Sequence, residues 1–141
     1  IQRLFDFFEA LADEKQVSLV LDAQDLLVRA DRDMLLRAVS NLLSNAIRHT
    51  PNGGQVTVRV ETEDTLVRLS VHNPGSVIPA EHLPRIFDRF YRVDASRQRE
   101  IEGAGLGLAI AKSIVDLHKG RIGVHSESGA TTFTLSLPIA G

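Results

Sequence analysis

Cysteine is missing from all 141 residues, which excludes disulfides and thiolate metal sites and fits a reducing compartment. Positive charge is not in excess: 16 Lys and Arg stand against 18 Asp and Glu, a formal net charge of −2. A basic footprint for nucleic acid is therefore lacking, and no nucleic-acid partner is expected. No apolar run approaches the roughly 20 residues of a membrane-spanning helix. No internal repeat, low-complexity tract or interdomain linker stands out. None of the histidines, His49, His72, His82, His118 and His125, has metal-ligand spacing. The chain opens at Ile1 in mid-pattern, with neither Met nor a signal peptide. It reads as one domain, residues 1–141, cut from a longer protein.

What is present is 43% hydrophobic residues, enough for a single core. Leu4, Phe5, Phe8 and Leu11 recur at helical spacing in "IQRLFDFFEALADEK". "VSLVLD" and "LLVRA" read as short strands around the turn-prone "AQD". Asp31 is placed to cap a long helix, "RDMLLRAVSNLLSNAIRHT", which "PNGG" stops. "QVTVRVE" and "LVRLSVHN" alternate with period two and predict a hairpin through "TEDT". A stretch from Pro74 to Ala104 shows little regular pattern beyond helical potential near "AEHLPRIF". Stretches of that length in a compact chain are usually functional. A glycine cluster then opens a helix to about Lys119, and "RIGVHS" and "TTFTLSLP" predict a second hairpin. Early, middle and late helices with paired strands predict an α+β fold. This is a two-layer α/β sandwich, its mixed, mostly antiparallel sheet covered on one face by about three helices, and not a doubly wound βαβ sheet.

"GAGLGLAIAKS", residues 103–113, places Gly103, Gly105 and Gly107 at the start of a helix. Glycines there let backbone N–H groups approach a phosphate. A P-loop fails, because Lys112 and Ser113 follow Ala111 inside the helix. A dinucleotide fingerprint fails, because position 108 is Leu and "DASRQREIE" ahead of the cluster is no strand. Close packing of a loop on a helix stands as the purely structural alternative.

The long helix carries a second signal. Met34, Leu35, Ala38, Val39, Leu42, Leu43, Ala46 and Ile47 form one apolar stripe. Beside it, Asn41 and Asn45 are four apart, Arg48 follows seven after Asn41 and His49 four after Asn45, so all four line one flank. Asparagine is a mediocre helix former, and its amide oxygen coordinates Mg²⁺ without adding charge that repels a triphosphate. A solvated polar face is the plainer reading of the helix taken alone.

"NLLSNAIRHTP", "IFDRFYRVD" and "GAGLGLAIAKSIVDLHKG", in that order, resemble the N box, F box and second glycine box of the catalytic ATP-binding domain of sensor histidine kinases. The resemblance runs from about Phe5 to Pro138. "NPGSVIP" and "FYRVDASRQR" are similar to the heavy-metal (copper and silver) sensor kinases of Gram-negative bacteria. The family's fold, shared with gyrase-type and Hsp90-type ATPases (the GHKL or Bergerat fold), agrees with the α+β sandwich read from pattern.

The resemblance implies an ATP site. From the N box, Asn45 is the main Mg²⁺ ligand, Asn41 supports it, Arg48 contacts phosphates and His49 packs its flat ring on the adenine. The first glycine box has Asn73 where the family has an Asp that accepts from the adenine amino group, with Gly75 and Ile78 following and Val77 replacing a glycine. Asn keeps an acceptor oxygen and adds donors. Losing charge assistance removes about half the strength of that bond, so modest nucleotide affinity is expected. By strand parity Asn73 shares the helix-covered face with Val67, Leu69 and Val71.

From the F box, Phe90 and Tyr91 lead into Arg92, the implied γ-phosphate contact and, with Asn41, a catalytic residue. Phe87 and Phe90 also anchor the base of a lid running from Arg92 to Ala104, in which Arg97 and Arg99 are solvated or assist. Gly103, Gly105, Leu106, Gly107 and Leu108 bring lid backbone and the helix start against the phosphates. Thr131 helps hold the adenine, although the glycine expected before it is Ala130.

The implied reaction moves the γ-phosphoryl of Mg-ATP to a histidine. The acceptor histidine lies on a dimerisation domain of the same kinase, and no such motif occurs here. His118, near a helix end, suits the dipole as a cation. Further implied partners are a cognate response regulator and a second copy of the full-length kinase, a homodimer. The implied place is the cytoplasmic side of an inner membrane. Two other readings remain: a nucleotide-binding module without turnover, and a related ATPase. The ATPase normally has Glu where Asn41 stands, to activate water.

Overall fold

The computed structural model describes residues 2–23, 31–75, 86–87, 107–127 and 129–138. Its elements run α1 (Gln2–Glu14), β1 (Ser18–Ala23), α2 (Arg32–His49), β2 (Gln55–Glu63), β3 (Leu66–Pro74), α3 (Gly107–Leu117), β4 (Arg121–Glu127) and β5 (Ala130–Pro138). The expected strand at 26–30 and the helical potential near 80–87, apart from Ile86 and Phe87, lie outside the described residues.

Asp31 caps α2 as its spacing predicts, its side chain accepting from the Met34 N–H at 2.9 Å. Along α2 the buried residues are Ala38, Val39, Leu42, Leu43, Ala46 and Ile47, with Met34 and Leu35 packed at the margin. This is the stripe read from the sequence. α3 ends at Leu117, slightly before the expected stop. Lys119 there takes a left-handed φ of 59°, and Gly120 N–H returns to the Val115 carbonyl at 3.0 Å.

The strands form one sheet in the order β1-β2-β3-β5-β4. β2–β3 and β4–β5 are the predicted hairpins, and β3 pairs antiparallel with β5. β1 and β2 pair in parallel, Ser18 opposite Gln55 through Ala23 opposite Val60. A parallel pair needs a long crossover, and α2 supplies it. A single β-α-β unit therefore sits inside a mostly antiparallel sheet. Alternation along β3 buries Val67, Leu69, Val71 and Asn73, and along β5 it buries Thr131, Phe133, Leu135 and Leu137. Against this face α1 packs on β1, α2 on β3 and α3 on β4 and β5, while α2 and α3 pack on each other. The two-layer sandwich is the one expected. Its core leaves one polar end, where Asn73 and Thr131 continue the buried rows.

Candidate nucleotide site

The polar flank of α2 forms as its spacing predicts. Asn45 is buried, and its Oδ1 accepts from Arg48 Nη2 at 2.9 Å. One turn earlier Asn41 is partly buried, and its Nδ2 is buried with no hydrogen-bond partner among the described residues. A buried amide donor without a partner costs about 1–3 kcal/mol, so the site holds polar capacity that the described residues do not use.

Gly107, the first residue of α3, lies directly against Asn41. A Cβ on Gly107 would stand 3.9 Å from Asn41 Cγ and 4.0 Å from its Oδ1. The N-terminus of α3, its positive dipole end, is therefore brought to the Asn41 side of α2. Leu108, beside it, is partly buried against the core.

The C-terminal turn of α2 meets the ends of β3 and β5. Gly75 has φ +115°, and a Cβ there would lie 2.9 Å from both the His49 carbonyl oxygen and Pro51 Cδ. Only glycine takes that conformation and that approach. Its N–H donates to the Gly129 carbonyl at 2.8 Å, closing β3 onto the β4–β5 turn. Asn73 is almost fully buried opposite Thr131 in register, and Thr131 is buried opposite Ser126. Asn73 Nδ2 donates to the Pro74 carbonyl at 3.0 Å. That tether uses one of the two amide N–H donors and fixes the plane of the Asn73 carboxamide.

His49 is half-buried, and its pKa falls from 6.5 to about 4. Burial is the main cause, with the positive charges of Arg48 and Lys15 adding to it. The ring is thus neutral at pH 7. Ile78, Phe90, Tyr91, Arg92, Gly103, Gly105 and Leu106 lie outside the described residues. Phe87 packs edge-to-face on Phe133, ring centroids 6.0 Å apart, consistent with an anchoring part.

Three contacts were not part of the sequence reading. Lys15, on the turn after α1, donates from Nζ to the carbonyls of Ile47 (2.8 Å) and Arg48. Ser126 Oγ and Thr131 Oγ1 share a hydrogen bond of 2.8 Å. His118, at the end of α3, meets two partners. Its Nε2 accepts from the Asp31 N–H at 2.9 Å and its Nδ1 faces the Ile114 carbonyl at 2.8 Å. These two contacts tie the end of α3 to the cap of α2. A lysine 32 residues from its acceptor leaves no periodic trace; only the cross-strand pairing of Ser126 with Thr131 follows from the hairpin register.

An α/β sandwich with this flank on its crossover helix defines a class. Residues 30–141 match the family of histidine kinase-, DNA gyrase B- and HSP90-like ATPases. The chain belongs to that family. Among its relatives it is 54% identical over 138 residues to the sensor histidine kinase CusS of Escherichia coli strain K12, covering 98% of this chain and 29% of that protein. It is 50% identical over 134 residues to the probable sensor kinase SilS of Salmonella typhimurium, covering 94% of this chain and 27% of that protein. The chain therefore spans under a third of the length of these relatives. Its backbone matches the catalytic domain of histidine kinase ThkA with a TM-score of 0.86 and 29% identity, over 99% of this chain and 92% of that one. ThkA has also been solved in complex with response regulator protein TrrA.

Proposed function

We propose that this chain is the catalytic ATP-binding part of a two-component sensor histidine kinase of the copper and silver type. It binds Mg-ATP and passes the γ-phosphoryl group to a histidine on a dimerisation domain. The observation that carries this reading is the meeting of the α3 N-terminus with Asn41, whose buried Nδ2 has no partner among the described residues. A helix N-terminus facing neutral amides suits a polyphosphate. His49 and Asn73, at the other end of the flank, suit the base: one offers a neutral flat ring, the other an acceptor oxygen for an exocyclic amino group.

The donor set fits Mg²⁺. Asn45 and Asn41 offer uncharged amide oxygens, and Mg²⁺ takes few protein ligands alongside water and phosphate oxygens. Among the described residues no group of three His, Asp or Glu side chains could hold a metal without a nucleotide. When bound, the ion neutralises charge on the phosphates. Asn45 and Asn41 orient the phosphate chain, Arg48 and the α3 N-terminus draw it in, and Arg92 stabilises charge on the transferring group. A neutral amide at position 41 is a poor base for activating water, which favours transfer to a protein nucleophile over hydrolysis. The relatives' sensor-kinase names and the ThkA–TrrA complex support a response regulator as the kinase's phosphoryl recipient. The same reading makes the whole kinase a homodimer with this part on the cytoplasmic side of an inner membrane.

Calorimetric titration with ATP, with and without Mg²⁺, tests the site. Micromolar to tens-of-micromolar binding, about −6 to −8 kcal/mol, is expected for the wild type and is lost in Asn45→Ala. Mixing the chain with its dimerisation domain should then yield phosphohistidine. Binding without that product would leave a module without turnover, and ATP hydrolysis by the chain alone would favour an ATPase.

A further inference from the structure

We propose that Lys15 is a positioning residue for the nucleotide site, its ammonium clasping the last turn of α2 so that Arg48 and His49 hold their places. The inference rests on the nucleotide reading above.

A helix leaves its last four carbonyls without intrahelical partners, and in α2 each has a defined neighbour. The Ala46 carbonyl accepts from Thr50 Oγ1 at 2.6 Å. The Ile47 carbonyl accepts from the Thr50 N–H at 3.3 Å and from Lys15 Nζ at 2.8 Å. The Arg48 carbonyl accepts from Lys15 Nζ as well, and the His49 carbonyl lies against Gly75. Lys15 is the distant member of this set, and the turn that carries it is itself tied down. Val17 N–H donates to the Ala12 carbonyl at 2.8 Å, and Gln16 takes a left-handed φ of 61°. The Gln16 carbonyl accepts from the Gly53 N–H at 2.7 Å, and the Ser18 N–H donates to the Gly54 carbonyl at 3.0 Å. The α1–β1 turn thus grips both the end of α2 and the loop beyond it.

The electrostatics point the same way. A cation at a helix C-terminus is favourable, yet this one sits beside Arg48. Burial first, and then Arg48, pull the Lys15 pKa below the ordinary lysine value. The charged groups that depress His49 are Arg48 on α2 and Lys15 on the α1–β1 turn. Positive groups gathered at one helix end repel one another, and a bound polyanion relieves that repulsion.

The experiment compares the wild-type chain with Lys15→Met and Lys15→Arg by ATP calorimetry and by NMR titration of the His49 ring. Lys15→Met is expected to weaken ATP binding roughly tenfold, the scale of a lost charged hydrogen bond. It should also raise the His49 midpoint above its value of about 4, and Lys15→Arg should restore both. A merely structural lysine would lower stability while leaving the ATP affinity of the folded chain unchanged, whereas the His49 midpoint reports only that the charge lay beside the ring. A folded Lys15→Met chain with wild-type ATP affinity or an unmoved His49 midpoint overturns the proposal. Should Lys15→Met fail to fold, Lys15→Gln, which keeps an N–H donor but no charge, decides by ATP affinity: wild-type affinity in that variant overturns the proposal. A wild type that does not bind ATP defeats the nucleotide reading and this role with it. A wild type that binds, beside a Lys15→Met that binds equally, defeats the positioning role alone.

Discussion

His49 shows how burial turns a titratable side chain into a neutral ring with a stability signature. Its folded pKa of about 4 lies below the 6.5 of the free side chain. Between those values the unfolded chain binds the extra proton, so stability rises with pH across the window. The contribution is complete above about pH 6.5 and is lost as pH falls toward 4. Each tenfold change in proton affinity is worth about 1.4 kcal/mol, so the whole effect, reduced by the ring's partial exposure, is on the order of 2–3 kcal/mol. Denaturant midpoints measured near the two ends of the window should therefore separate further for the wild type than for His49→Gln. Equal separations would mean that the ring is not held neutral. The flank to which His49 belongs was legible because helical geometry converts spacing into a shared face. Lys15 was not, because a contact between residues 32 positions apart depends on how α1 returns to the end of α2.

The elements were legible where one local rule decided them. Asp31 lies just ahead of an apolar stripe of helical period, and the helix begins there. Replacing Asp31 by Ala should cost about 1 kcal/mol, the usual scale of a lost N-cap, readable as a lower denaturant midpoint with an unchanged slope. The backbone N–H of Asp31 still reaches His118 in that variant, so α2 and α3 should stay joined. Both hairpins followed from period-two alternation and their turns. The parallel pairing of β1 with β2 did not, because alternation does not state which strand lies alongside or in which direction. The early stop of α3 was likewise hidden: Lys119, not a glycine, takes the left-handed position after it.

For the whole molecule, stability converges on the middle of the helix-covered face. Phe133 is almost fully buried on β5, between Val71 of β3 and Val124 of β4 in register, and meets Phe87 edge-to-face. Phe133→Ala should cost about 3–5 kcal/mol, a large part of the roughly 5–15 kcal/mol that holds a domain of this size together. Thermal unfolding should show it as a large fall in midpoint, and a small fall would mean the core repacks around the gap. The same face ends in Asn73 and Thr131, so the layer that stabilises the sandwich also carries the proposed base pocket.

The sequence by itself determined the sandwich class, the apolar stripe and polar flank of α2, the placement of Asn73 on the inner face and the family. Each of these is written in local period or in an ordered set of motifs, which a linear chain displays directly. Only the tertiary structure decided that Gly107 meets Asn41, that Gly75 seats on the His49 carbonyl, that Pro74 orients the Asn73 amide, and that Lys15 and His118 tie the ends of the helices. These are contacts between segments far apart in the chain. Their partners are chosen by the sheet order and by the close approach of packed backbones, which no spacing along the sequence encodes.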